Sequence, residues 1–431
     1  MKKIIIVFIL LTCFKLVDCQ ELIPYSKGFN WGFCDAKKNV IIEPKYFLVE
    51  RFKNGYALVT DDQQMHGLIN KSGKLVVPLS YKYIDNVHEG IARVSDDLNY
   101  SGFVNIKGDV VAKCKYSAAG DFHEGMAYVA ESSPIQAGYI NNKGDEVIKL
   151  QYENDMQDFS EGLVAAELNN KFGFIDKKGQ TVIPFKFGFA QEFEKDVARV
   201  YVKSKCSFID KTGKELMPYK YDDVEYANRS GLLLVKLNDK CGFIDKSGNE
   251  VIKIQYDEIG SSFDYNFYEG LIRVSLNKKY GYIDTMGNMV IQTKYDDAAN
   301  FHEGSAVVEI GGKYGYIDRS GKEIIPVQYT WAMPFSNGLA VVENESKYGI
   351  INKEGKEIAP FIFDNISEFS EGFASVQIEK KYGFIDSTAR IVIQPKYDEV
   401  MEGFSNGYAE VTRDNYSFYI NKNGFEYHDN E

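Results

Sequence analysis

The chain is predicted to fold as an all-β tandem array of about twelve short, three-stranded antiparallel units, and three observations carry that prediction. The glycine position opening a Gly-Phe/Tyr-Ile-Asp/Asn cassette is followed fourteen residues later by an aromatic residue in eleven successive copies, from Gly32 and Tyr46 to Gly383 and Tyr397. Ser207 replaces the glycine in one copy. The copies succeed one another every 34 to 36 residues, with one gap of 39, so nearly the whole chain is one repeat. Within each copy apolar residues recur at alternate positions, and no stretch shows helical periodicity.

Ahead of the array, Met1, Lys2 and Lys3 precede an apolar run from Ile4 to Phe14, and the chain turns polar by Asp18 and Gln20. This is the pattern of a secretory signal peptide, too short to span a bilayer. Residues 1–19 are assigned to it and residues 20–431 to the array, with about eleven full copies and a partial twelfth beginning near Phe418. Lipid attachment at Cys19 is the alternative to cleavage after it. Either outcome places the protein outside the cytoplasm: secreted, periplasmic or at the cell surface.

In a clean copy the cassette strand reads Lys381-Tyr382-Gly383-Phe384-Ile385-Asp386. Alternation places the two aromatics on one face and glycine and isoleucine on the other, so the strand should be buried on both sides. At about 1.5–3 kcal/mol per fully buried large apolar side chain, columns such as Ile175, Ile209, Ile244 and Phe174, Phe208, Phe243 can hold a long array together. A turn follows, as in Asp176-Lys177-Lys178-Gly179. Its Asp or Asn bonds backbone two residues on, and its glycine takes the left-handed conformation. Asn39 and Ala389 are read as the replacements for that glycine, and Ala389 should be strained. The closing strand is a Val/Ile pair followed by the aromatic.

A loop of variable length comes next. It is nine or ten residues in most copies and fourteen from Tyr256 to Gly270, so Ser261 to Phe267 form a projecting insertion in copy seven. An Asn/Glu-Gly turn with Phe three residues before the glycine, as in Phe301-His302-Glu303-Gly304, then leads to a third strand of the form Gly-x-Ala-x-Val. Its alanine, for instance Ala306, Ala340 and Ala374, marks a tight contact.

The net charge is −12, from 62 acidic against 50 basic residues, and no basic cluster is present. That composition excludes an electrostatic footprint for nucleic acid or an anionic membrane. No apolar stretch of membrane length follows the signal. Past the signal the cysteines are Cys34, Cys114, Cys206 and Cys241, without zinc-ligand spacing. Cys206 and Cys241 occupy one position of adjacent copies, where they are read as small packing residues rather than a disulfide. His88, His123 and His302 lie one and five repeats apart and are not read as metal ligands. No cofactor and no metal are expected, and the chain should be a monomer.

These segments, Lys-Tyr-Gly-Phe-Ile-Asp, Ile-Pro-x-x-Tyr-Asp and Glu-Gly-x-Ala-x-Val, resemble the WG repeat family, also called KWG repeats, with Trp31-Gly32 as the surviving Trp-Gly pair. The resemblance covers about residues 25 to 428. It implies a bacterial β-repeat protein used for binding, and it supplies no catalytic residues.

Twelve cassettes exceed the four to eight blades usual in propellers, each copy offers three strands where a blade needs four, and no spare strand is evident at either end. An open, curved β-solenoid or superhelix is therefore expected, with a β-propeller as the alternative. Function follows from architecture: a non-enzymatic scaffold binding an extended protein or glycan partner. Trp31, Tyr201, Tyr268 and Trp331 fall outside the strictest core columns and are the candidate ligand-binding residues. The alternatives are a carbohydrate-binding protein using such exposed aromatics and an envelope protein without a ligand. Acidic residues are spread at repeat spacing and do not converge as an active site requires.

Overall fold

A computed structural model describes residues 21–132, 135–153, 157–226, 231–245, 248–261 and 264–429. The signal-peptide assignment at residues 1–19 lies outside these, as do Ser262 and Phe263 of the copy-seven insertion. The described residues form twelve small antiparallel sheets and no helix. None of their segments is a helix long and apolar enough to cross a membrane.

Each sheet is a blade whose strands follow in chain order. In the ninth blade these are a two-residue lead strand Asp297–Ala298, the alanine strand Ser305–Ile310, the cassette strand Lys313–Asp318 and the closing strand Glu323–Tyr329. The lead strand, immediately after the previous closing aromatic, is the fourth strand that the sequence reading lacked. The alanine strand pairs with the next cassette, not with the closing strand before it: Ala306 stands opposite Ile317. The repeat of the fold thus runs from lead strand to closing strand, offset from the cassette-to-cassette repeat of the sequence.

Local chemistry explains each turn. Between alanine and cassette strands, two residues with positive φ, such as Asn277 at 54° and Lys278 at 61°, make a tight hairpin whose twist matches the strands. After the cassette, the Asp176 carboxylate accepts from the amides of Lys178 and Gln180 at 2.9 and 2.8 Å. In the first copy it is Lys38, at φ 66°, that takes the left-handed position, and not Asn39; Ala389 does so at 63°. The closing strand carries a bulge: Tyr314 pairs with Tyr329 but Tyr316 with Ile325. A methyl group on Gly315 would stand 2.8 Å from the Ile325 carbonyl oxygen, so the bulged strand can pass only a glycine.

Blades join face to face. The cassette aromatic of one blade packs on the anchor phenylalanine of the next, as Phe174 on Phe193, Tyr282 on Phe301 and Tyr316 on Phe335, with centroids 4.7–4.8 Å apart. The cassette strand is buried on both faces as expected; Phe174, Ile175, Tyr282 and Ile283 are all inaccessible. The Glu-Gly turns interlock as well. Glu303 accepts from the amides of Asn337 and Gly338 in the following blade at 2.6 and 2.9 Å, and Lys353 lies 3.2 Å away. Glu124 repeats this with Glu161, Gly162 and Lys177, and Glu371 with Gly407 and Lys422.

The array closes on itself, so the propeller alternative describes the molecule and the open superhelix does not. Ile23–Lys27 is a strand that pairs with the first cassette, Tyr25 opposite Gly32, and completes the first blade at the alanine-strand place. That blade lacks a lead strand. The C-terminal segment fills the gap: Ser26 pairs in parallel with His428, and the Asp429 amide donates to the Ser26 carbonyl at 3.0 Å. Lys38 pairs with Asp429 at 3.1 Å, and Tyr419 and Tyr427 share one buried cluster with Ile23, Trp31 and Phe33. Two apolar blade faces that an open array would leave wet are buried against each other.

Candidate functional site

From the eighth blade to the eleventh the lead strand is only two residues long, and recesses open along that edge of the blades. There, from the seventh blade to the eleventh, three recesses of about 360, 420 and 610 Å³ run together. Ser261 and Arg273 line both the first and the second, and His302, Trp331, Ala332 and Pro334 both the second and the third. The result is one trough crossing successive blades. A separate recess of about 520 Å³ lies between blades two and three, beside Arg51 and His88.

Of the four candidate aromatics, Trp331 lines this trough, while Tyr268 and Tyr201 only contact residues that line it. Trp331, on the lead strand Trp331–Ala332, is half-buried and stands edge-on to Tyr348 at 5.8 Å. Tyr268 packs at 5.3 Å on His302, which lines the trough. Tyr201 is half-buried and donates its hydroxyl to Asp223 at 2.6 Å, and Asp223 lines the first recess. Trp31 lies elsewhere, buried at the ring closure and edge-on to Tyr419 at 6.3 Å. The insertion of copy seven contributes Tyr265 to the first recess, and Phe267 takes the anchor place against Phe243 at 5.8 Å.

The trough wall also holds groups that the sequence reading did not single out. Arg273, from the alanine strand of blade eight, reaches the next blade, donating to the Ala298 carbonyl at 2.6 Å and pairing with Asp297 at 3.2 Å. Tyr280 donates to Glu258 at 2.8 Å; burial first, then this carboxylate, push its hydroxyl up to about 12. The Tyr314 hydroxyl is likewise raised by burial and by a hydrogen bond to Glu309. Glu309 stands directly opposite Tyr314 across the hairpin, whereas Glu258 stands opposite Ser275 and reaches Tyr280 across that intervening strand.

The remaining sequence candidates resolve simply. Cys206 and Cys241 are free thiols, and burial pushes Cys206 up to about 12. His88 and His123 do meet, in adjacent blades with ring centroids 5.7 Å apart, each beside an aspartate of the next blade, Asp121 and Asp158. Among the described residues no three His, Cys, Asp or Glu side chains group to hold a metal.

Several solved structures share partial likeness to this chain. A crystal structure of the eukaryotic initiation factor is 13% identical over 78% of this chain and 94% of its own, with a TM-score of 0.37. BamB from Moraxella catarrhalis is 12% identical over 61% and 93%, at 0.27. The extracellular domain of a one component system from B. thetaiotaomicron is 9% identical over 95% and 71%, at 0.22. At these scores they say nothing about what the trough holds. No curated protein matches the chain. The model of the WG containing repeat, by contrast, matches eleven consecutive segments from residues 31–63 to 382–416. With repeats spanning almost the entire described ring, the chain belongs to the WG containing repeat family.

Proposed function

We propose that the protein is a non-enzymatic, secreted or surface-exposed scaffold that binds an extended partner in the trough along its lead-strand edge. The observation that carries this reading is the continuity of the three recesses across blades seven to eleven, with Trp331 half-buried where two of them meet. A trough of this kind accepts a chain-like ligand at several successive blades, and a rigid ring presents it without a conformational cost. The repeated acidic residues of the cassette turns and of the Glu-Gly joints, such as Asp176, Glu124, Glu303 and Glu371, are engaged in holding the blades, which is the use a scaffold makes of them. A glycan is the second reading, favoured by the indole of Trp331, whose face is a stacking platform for a sugar ring.

The test is direct because the chain holds only two tryptophans, one buried at the closure and one in the trough. Titration with peptides and oligosaccharides is expected to change the Trp331 emission, and Trp331→Phe should remove that change. A response that persists in Trp331→Phe would place binding elsewhere.

A further inference from the structure

The trough is unevenly charged, and that imbalance identifies its occupant. The first recess is lined by Asp223, Glu225, Asp257 and Glu258 against Lys236 and Arg273. The second adds Asp297 and Glu309, and the third Glu303 and Glu368, without a further Lys or Arg.

Some of this charge is neutralised from behind. Asp223 and Glu225 share Arg199, Asp257 pairs with Lys240, Asp297 with Arg273 and Glu303 with Lys353. Three carboxylates are not. Among the described residues, Glu258 and Glu309 have tyrosine hydroxyls as partners, from Tyr280 and Tyr314, and no cation lies within ion-pair reach of Glu258, Glu309 or Glu368. They fall one per recess, in blades eight, nine and eleven. Apolar wall alternates with them: Ile259 and Tyr265 in the first recess, Trp331 in the second, Met333, Leu339 and Phe369 in the third.

We infer that the trough takes an extended polypeptide segment in which basic residues alternate with apolar ones. This rests on the scaffold reading above and specifies its ligand. A lysine or arginine set against each unneutralised carboxylate supplies the missing cation. The Tyr314 ring beside Glu309 adds a π-face to which an ammonium or guanidinium is attracted, whereas the Tyr280 ring beside Glu258 already carries the Arg273 guanidinium 5.0 Å from its centroid; the apolar side chains of the segment enter the wall around Trp331. A neutral glycan would satisfy the indole but leave the three carboxylates without counter-charge, so the segment is favoured over the sugar.

The experiment uses the full chain and the Trp331 emission as readout, with isothermal titration as a second measure. The probes are a short peptide alternating lysine with phenylalanine, the same peptide with glutamate for lysine, and a neutral linear oligosaccharide. The basic peptide is expected to bind, more weakly as salt is raised. Glu258→Gln, Glu309→Gln and Glu368→Gln should each weaken it by about two- to fivefold, with thermal midpoints checked to confirm that each variant folds. Equal binding of the acidic peptide, or affinity indifferent to salt and to all three substitutions, would overturn the inference. Binding of the oligosaccharide alone would overturn it while leaving a binding trough in place, whereas no binding of any probe would sink the inference and the scaffold reading together.

Discussion

One methyl group decides whether a closing strand can pair. Built on Gly383, it would sit 2.3 Å from the Ile393 carbonyl oxygen, closer than any unstrained contact. The two natural exceptions behave accordingly. Where Ser207 stands for the glycine, its hydroxyl bonds the Met217 carbonyl at 2.6 Å and the closing strand is reduced to isolated bridges. Where Phe418 does, its ring packs on His428 with centroids 4.0 Å apart, and the chain turns there to pair with Ser26 of the first blade. Gly383→Ala is expected to lose about 1–3 kcal/mol, read as a lower denaturation midpoint in urea. A second residue pair shows compensation between blades. The turn glycine of one blade packs on an isoleucine of the blade before, Gly213 against Ile183 and Gly355 against Ile325, at 3.0–3.5 Å from a would-be methyl. Ala389 brings that methyl, and the residue at the isoleucine place is Ala359, in the same buried cluster. Ala359→Ile alone should therefore destabilise by about 1–3 kcal/mol. Combined with Ala389→Gly it should cost less than the sum of the two changes, and a double-mutant cycle in urea measures the difference.

At the scale of elements, the Glu-Gly turn is both a hairpin and a joint. Burial works to raise the carboxyls of Glu124 and Glu303, but the lysines and the amides of the next blade outweigh it and hold them below the usual range; Glu371 is lowered by the Gly407 amide and Lys422. A carboxyl lowered in the folded state stabilises fully above its unfolded value, near 4.5, and loses that contribution as pH falls through the lower folded value. Thermal midpoints should thus decline below about pH 4.5, and Glu303→Gln should flatten the decline while lowering stability at neutral pH by less than ~1 kcal/mol, since both partners are more than a third exposed. The cassette, its turn, the alanine contact and the anchor phenylalanine were legible because each repeats a rigid local requirement. Exposed Pro78, Pro184, Pro326 and Pro360 also mark the closing strand as the edge it is, unfit to template another strand. The two-residue lead strand was not legible: it is too short for alternation to show. Nor was the trough, because Glu258 meets Tyr280 only across an intervening strand and the recesses form between neighbouring blades, which no single copy displays.

At the scale of the whole molecule, closure depends on the angle between blades and on how the two ends meet, neither of which a repeat motif encodes. Ile23–Lys27 has no alanine and no preceding Glu-Gly turn, so it does not announce itself as the missing strand of the first blade. The clasp opposite it is built around Glu426. Its carboxylate takes Arg413 through both oxygens at 2.9 Å, with Lys396 at 2.8 Å and His428 at 3.0 Å. Burial opposes ionisation, but these partners outweigh it and draw the carboxyl down to about 2. By the sign of that shift, the contribution of Glu426 is complete above its unfolded value near 4.5 and is lost progressively as pH falls toward about 2, so the clasp begins to weaken with the Glu-Gly joints and is fully released only below about pH 2. From Glu426 the chain runs directly into His428 and Asp429, which complete the first blade. Small-angle scattering on the chain after residue 20 should therefore show a compact ring. Removing residues 426–431 should expose the faces around Trp31 and Tyr419 and lengthen the particle, with the emission of Trp31 shifting toward that of a wet indole. An elongated profile for the intact chain would refute closure. An unchanged profile after truncation would mean that the packed faces of the first and last blades hold the ring without the clasp.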